Sequence, residues 1–317
     1  PSMFESLDLE EKITFFKGDV TDFDAVKKVV DEVAPDFIFH VAAQALTGLA
    51  YQQPIATLQT NVMGTAHVLE CLRQMEQPCC AIFITSDKCY ENHEWEWGYR
   101  ESDQIGGKDP YSASKGASEI VIHSYFHSYF NKPDSQIKIA SVRAGNVIGG
   151  GDWSPQRLIP DCVKAWQKGL SVEIRNPNST RPWQHVLEPL DGYLSVAALL
   201  FEKESVNGQA YNFGPAADQI ITVEKLLTEF GKHWQNEMGG NPLFQLIANP
   251  SFSEAGLLKL ICDKALHDLG WKARLKLEET LQLTAEWYRE FSQSGKDMFA
   301  FTLKQIEAYE KICSPAL

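Results

Sequence analysis

Short, continuous apolar stretches of β-branched and aromatic residues recur along this chain, and segments with helical spacing separate them. That alternation limits the fold more than any other feature. Lys12–Lys17 (KITFFK) ends at Gly18-Asp19, and Asp36–Val41 (DFIFHV) ends at Ala42-Ala43-Gln44. Between them, Asp22–Val33 places Val26, Val29, Val30 and Val33 on one helical face, with Asp22 as N-cap. The spacing predicts further helices over Asn61–Met75, Ser112–Phe130 and Leu190–Phe201, and strands over Cys80–Thr85, Ile137–Val142 and Ala210–Phe213. Such a pattern indicates βαβ units and a parallel sheet covered on both faces. The expected architecture is α/β, a doubly wound parallel sheet with a smaller, mostly helical second domain. Residues 1–147 and 186–214 are assigned to the sheet domain, and 148–185 with 215–317 to the second.

A net charge of −13, from 29 Lys plus Arg against 42 Asp plus Glu, repels phosphate backbones and argues against nucleic-acid binding. No apolar run reaches the roughly 18 residues of a membrane span. The chain opens with no basic-then-apolar leader. Seven cysteines with no CxxC spacing read as reduced thiols of a cytoplasmic protein. The histidines lack HxH and HExxH spacing, so no metal is expected, and no GxSxG turn points to a hydrolase.

In an open parallel sheet, ligands sit at the carboxyl ends of the strands. The polar residues following each predicted strand are therefore the candidates. Tyr111 and Lys115 lie four apart at a helix start, on one face, where the ammonium can lower the phenol from about 10 and make it a usable base. Alone, that spacing fits a solvated helix face as well. Thr85-Ser86-Asp87-Lys88 puts hydroxyl, carboxylate and amine at one strand end, although Ser and Asp also cap turns. The small residues Ala42 and Ala43 let a ligand approach the backbone, and Asp19 can accept from an adenine amine or simply end its strand. Arg143, Arg157, Arg175 and Arg181 stand among Gly, Asn, Pro and Trp, which suggests a pocket for a diphosphate and a base, against ordinary surface arginine. Trp153, Trp183 and Tyr193 fit either base stacking or core packing, and His93–Tyr99 (HEWEWGY) fits a site wall, an underlying layer or an interface.

Together these residues resemble the extended short-chain dehydrogenase/reductase superfamily of nucleotide-sugar enzymes. The motifs run in order: GDVTD from Gly18, HVAAQ from His40, TNVMGT from Thr60, TSDK from Thr85, YSASK from Tyr111 and LGW from Leu269. The longer segments Ile84–Tyr90, Trp97–Glu101, Ser141–Trp153 and Ile174–Pro189 look like the CDP-glucose branch of its 4,6-dehydratases. Lys88 stands where other branches usually carry Glu. One departure is large. The family's GxxGxxG turn, with a strand on each side, does not occur in these 317 residues. A strand-helix-strand opening of about 30 residues or more is expected either to precede Pro1 or to be absent from the molecule.

The resemblance implies a Rossmann-type sheet and NAD-dependent dehydration of CDP-glucose by C4 oxidation, loss of water across C5 and C6, and hydride return to C6. It assigns catalysis to Ser86, Asp87, Lys88, Tyr111 and Lys115, with Asp87 as acid and Lys88 as C5 base or enolate stabiliser. Position by position, Asp19, Val20, Ala42, Ala43, Gln44, Thr60, Thr85, Tyr111, Lys115 and Ala144 would meet NAD. Asn146, Arg157, Arg181 and Glu188 would meet the substrate. It further implies a homodimer through helices near 65–75 and 112–130, and supply of deoxysugars to surface polysaccharide such as O-antigen. Alternatives are another nucleotide-sugar dehydratase, a 4-epimerase, or a non-catalytic scaffold lacking the glycine turn.

Overall fold

The structure is a computed structural model that describes residues 2–216, 219–247, 256–293 and 295–313. Its centre is a parallel sheet of four strands in the order β1 (Phe37–His40), β2 (Cys79–Ile84), β3 (Ile137–Ala144) and β4 (Ala210–Phe213). The connections are helical: α1 (Phe23–Val33) precedes β1, α2 (Gly64–Arg73) and α3 (Pro110–Tyr125) flank β2, and α4 (Leu187–Glu202) leads to β4. Asp22 caps α1, its carboxylate accepting from the Ala25 amide.

The period of two along β2 explains why the stretch is apolar throughout. Cys79, Ala81 and Phe83 face a cluster with Leu69 and Leu72 of α2 and Ile122 of α3. Cys80 and Ile82 face the opposite cluster, with Val196, Ala197 and Leu200 of α4. A strand buried on both faces has no solvated position for a polar residue.

Lys12–Lys17 is not a strand. The segment runs as irregular backbone, with Ile13 and Phe15 about half exposed (53% and 48%). A strand is stabilised by ladder hydrogen bonds to a neighbour, and among the described residues β1 pairs only with β2. The predicted helices over 61–75 and 112–130 are present but end in or begin from single π-helical turns, Gln59–Met63 before α2 and Phe126–Phe130 after α3.

A second core gathers Trp166, Phe230, Trp234, Trp287 and Tyr288 from segments on both sides of the 186–214 stretch. Leu7 is buried in this cluster, with Met3 and Leu9 packed against it, so these opening residues lie with the second core although the sequence assigns them to the sheet domain. Gly150 makes the close packing possible: a Cβ there would sit 2.0 Å from the Trp287 ring.

Two buried histidines give the fold an acid limit. Burial, helped by the Lys115 charge, pushes His40 down to about 4, and burial pushes His185 down to about 4. Both lie below the ordinary 6.5, so between pH 6.5 and pH 4 the unfolded chain takes up protons that the folded chain refuses. Stability therefore falls as pH falls through that window, by about 3 kcal/mol per histidine. His185→Gln should flatten the pH slope of urea-unfolding free energy across it by roughly half. An unchanged slope would exclude His185 as a source.

Candidate active site

β2 ends at Ile84, and the chain turns at once into a single 3₁₀ turn, Asp87–Cys89. Ser86 caps that turn: its Oγ accepts from the Lys88 amide at 3.2 Å and donates to Asp87 Oδ1 at 3.0 Å. Asp87 is 3% exposed, its Oδ2 has no hydrogen-bond partner, and burial raises its carboxyl against the opposing pull of Lys88 and Ser86. Such a shift favours the protonated carboxyl, the form that can release a proton to a leaving hydroxyl.

α3 begins beside this turn. Asp109 caps it by accepting from the amides of Tyr111 and Ser112 at 2.9 and 3.0 Å, and Pro110 occupies its first position. Tyr111 and Lys115 are both buried on the first turns. Here the structure departs from expectation. Lys115 Nζ donates to the Ile84 carbonyl at 3.3 Å, and burial pushes the Tyr111 phenol up to about 12, with hydrogen bonding to Ser86 acting in the lowering direction. The same burial brings Lys115 down to about 8. Desolvation disfavours both charges: it outweighs the Ser86 hydrogen bond at Tyr111 and the nearby Glu119 carboxylate at Lys115. Lys88 is half-buried, with Nζ donating to Thr47 Oγ1 at 3.3 Å and lying 5.6 Å from the Tyr111 ring centroid.

Ser86, Asp87, Lys88 and Tyr111 line a cavity of about 710 Å³, and Lys115 lies outside its lining. Asn146, Arg157 and Arg181 line the same cavity, which extends to Val172–Arg175 and Ile247. Arg157 pairs with Asp152 at 3.0 Å and stays 41% exposed. Gly145 sits where a Cβ would approach Asp87 Oδ2 to 3.2 Å and Pro182 to 3.0 Å, so a side chain would crowd the acid.

Several expected residues are placed elsewhere. Glu188 is fully buried outside the cavity lining: its carboxylate accepts from the amides of Arg274 and Leu275 and from the Tyr309 hydroxyl at 2.9 Å. Those donors occupy it, so it ties α4 to the C-terminal segments. Arg143 holds no phosphate; it is buried against Glu119. Gln44 is engaged within its own loop, Oε1 accepting from the Leu46 amide and Nε2 donating to Thr57 Oγ1 at 2.8 Å. Asp19 accepts from the amide and hydroxyl of Thr21 and is exposed, and Val20 packs beside Gly64. Thr60 is half-buried in the π-helical turn. Ala42, Ala43, Thr85 and Ala144 follow or end β1, β2 and β3, at the carboxyl edge of the sheet. Trp183 is in the second core as well as in the cavity wall, Trp153 packs on Tyr288 at 5.2 Å, and Tyr193 packs on Phe213 at 5.7 Å. In the aromatic run 93–99, Tyr99 is buried, stacks on Tyr90 at 5.1 Å and pairs its backbone with Lys259 and Ile261, whereas Trp95 and Trp97 are exposed and none of the run lines the cavity.

Sequence reasoning missed Thr47, Asn61 and Glu119. Glu119 was signalled, because it continues the Tyr111–Lys115 stripe by one further turn, where a charge on a buried face demands a partner. Thr47 and Asn61 carried no local signal.

A parallel sheet with Ser-Asp-Lys after one strand and a buried Tyr–Lys pair on the next helix defines a nucleotide-sugar enzyme of the short-chain dehydrogenase/reductase kind. Comparison with known proteins narrows this. The model of the GDP-mannose 4,6 dehydratase family matches residues 3–284, and the chain belongs to that family. Its reaction is thus a 4,6-dehydration of a nucleotide sugar, that of a hydro-lyase. A CDP-glucose 4,6-dehydratase of Salmonella typhimurium is 43% identical over 98% of this chain and 86% of its own length. A dTDP-D-glucose 4,6-dehydratase of Homo sapiens is 23% identical over 93% of this chain and 80% of its own. Among solved structures, a UDP-glucose 4-epimerase of Thermotoga maritima superposes with a TM-score of 0.75 at 20% identity, covering 88% of this chain and 85% of that one. A dTDP-glucose 4,6-dehydratase of Streptomyces venezuelae with NAD bound gives 0.73 at 22% identity, covering 90% and 82%.

Proposed function

We propose that this protein dehydrates CDP-D-glucose to CDP-4-dehydro-6-deoxy-D-glucose, with NAD as a retained cofactor. The observation that carries the reading is one cavity lined by Ser86, Asp87, Lys88 and Tyr111 together with Asn146, Arg157 and Arg181. The Salmonella relative at 43% identity supports CDP-glucose as the substrate. The residues also fit a nicotinamide. Ala42 is exposed after β1 and Ala144 half-buried at the end of β3, and buried Lys115 donates to the last carbonyl of β2, between those strands in the sheet.

Bound NAD supplies the acceptor for the C4 hydride and the donor that returns it to C6. Tyr111 takes the proton of the sugar 4-hydroxyl, for which its phenol must be ionised; burial opposes this, the Ser86 hydrogen bond and the Arg157 charge favour it, and a positive nicotinamide would favour it further. Ser86 hydrogen-bonds the 4-oxygen. A ketone at C4 acidifies C5; Lys88 as base would take the C5 proton and return it to C5 when hydride comes back to C6, or as an ammonium would stabilise the enolate while another base takes the proton. Asp87 donates to the C6 hydroxyl, which leaves as water. Arg157, Arg181 and Asn146 hold the diphosphate and ribose, and Thr85, Ala42, Ala43 and Ala144 border the cofactor.

Incubation with CDP-glucose should yield a product with the alkaline absorbance of a 4-keto sugar. Turnover of another nucleotide sugar, with none from CDP-glucose, overturns the substrate assignment.

The homodimer belongs to the same proposal. The Pro54–Leu58 helix and the following π turn pack on α3 and leave Ile55, Met63 and Ile120 exposed (65%, 48% and 61%), an apolar flank suited to a second copy. A cytoplasmic location and supply of deoxysugars for surface polysaccharide follow by analogy.

A further inference from the structure

We propose that Thr47 is a positioning residue for Lys88, holding its amine at the catalytic end of the cavity for the elimination across C5 and C6. This rests on the dehydratase reading above and concerns the one catalytic side chain that is otherwise poorly anchored. Asp87 is buried against Ser86, and Lys115 is buried on a carbonyl. Lys88 is half-buried and forms no ion pair among the described residues. A lysine stem has four rotatable bonds, so an amine without an anchor samples many positions. Its described hydrogen bond is the one to Thr47 Oγ1, at 3.3 Å and across 41 residues of sequence.

Thr47 can serve as an anchor because its own position is fixed. It follows a loop held by Asn61, whose Oδ1 accepts from the Gln44 amide at 2.7 Å and whose Nδ2 donates to the Gln44 carbonyl at 3.0 Å. The same Nδ2 donates to Ser114 Oγ at 2.8 Å, next to Lys115 in the chain. Asn61 is 2% exposed. The hydroxyl that meets Lys88 is therefore tied to the helix that carries Tyr111 and Lys115. A β-branched side chain adds stiffness at χ1. Through this link the amine keeps its place relative to Tyr111, whose ring centroid lies 5.6 Å away.

Thr47→Val keeps the shape and removes the acceptor; Thr47→Ala removes it in a second way should valine disturb folding. Either should lower the elimination rate about tenfold, the worth of one hydrogen bond, with single-turnover C4 oxidation and KM within about twofold of wild type. Thr47→Ser should restore the rate to within about twofold, and in a Lys88→Met background Thr47→Val should add nothing. In the cofactor-free protein, mass spectrometry should find Lys88 acylated about threefold faster or more in Thr47→Val, because the amine has lost its tether. Equal slowing of oxidation and elimination, or an undiminished effect in Lys88→Met, overturns the proposal. If the wild type dehydrates no nucleotide sugar, the dehydratase reading falls and the acylation comparison decides alone. Equal labelling of Lys88 in wild type and variant then overturns the positioning role.

Discussion

Asp87→Asn is expected to lower dehydration by roughly 10²- to 10⁴-fold, the usual worth of a positioned acid. Oxidation at C4 should survive. Asn keeps the shape of the side chain, and Ser86 Oγ can still donate to its amide oxygen, so the turn that presents Tyr111 with its neighbours is preserved. What disappears is the acidic proton that the carboxyl can carry, on a group that burial raises and beside an oxygen that no described protein donor occupies. The enzyme should therefore stall after oxidation, and reduced-nicotinamide absorbance should accumulate in a single turnover while little 4-keto-6-deoxy product forms. Tyr111→Phe should instead lose both signals, since no base removes the 4-hydroxyl proton. If Asp87→Asn turns over at the wild-type rate, Asp87 is not the acid, and a 4-epimerase becomes the better reading.

The largest effect on stability is expected at the ion pair beneath the site. Glu119 and Arg143 are each 5% exposed by side chain and meet in a two-point contact, Nε to Oε1 at 2.9 Å and Nη2 to Oε2 at 2.8 Å. Thr85 donates to Oε1, and Ser141 donates to Oε2 at 2.9 Å. Burial alone would raise the Glu119 carboxyl, but Arg143 and these hydroxyls outweigh it and hold the group below the usual range. The far end of Arg143 donates to Tyr90 at 2.7 Å, and Tyr90 donates to Asn212 at 2.7 Å, so the network joins α3, β3 and β4. Glu119→Gln leaves a buried guanidinium uncompensated and should cost about 3–5 kcal/mol in urea unfolding. Arg143→Met should cost a similar amount, and the double replacement Glu119→Leu/Arg143→Met clearly less than the sum. Single losses below about 0.5 kcal/mol that simply add would show that the pair is not coupled.

How far the sequence reaches differs between elements for physical reasons. β2 was legible because both its faces are buried, which forces a continuous apolar run. The Lys12–Lys17 segment has a shorter apolar run, Ile13, Phe15 and Phe16, and was misread, since apolar character makes a strand only when a neighbour supplies ladder partners. In the candidate site, Ser86, Asp87, Lys88, Tyr111 and Lys115 could be proposed from sequence because each is adjacent to a strand end or spaced four apart on a helix, and the structure brings the first four to one cavity. Glu188 matches its family segment equally well, yet its carboxylate is fully occupied by Arg274, Leu275 and Tyr309, partners at least 86 residues away.

By itself, then, the sequence determined the sheet class, the order of the four sheet strands with the helices between them, and the family. These depend on local periodicity and on short spacings that survive any packing. Only the tertiary structure decided which charges meet: that Arg143 faces Glu119 rather than phosphate, that burial raises the phenol of Tyr111 to about 12, and that Lys88 reaches Thr47. Desolvation and pairing depend on what the fold brings within a few ångströms, and residues dozens of positions apart carry no sequence mark of that.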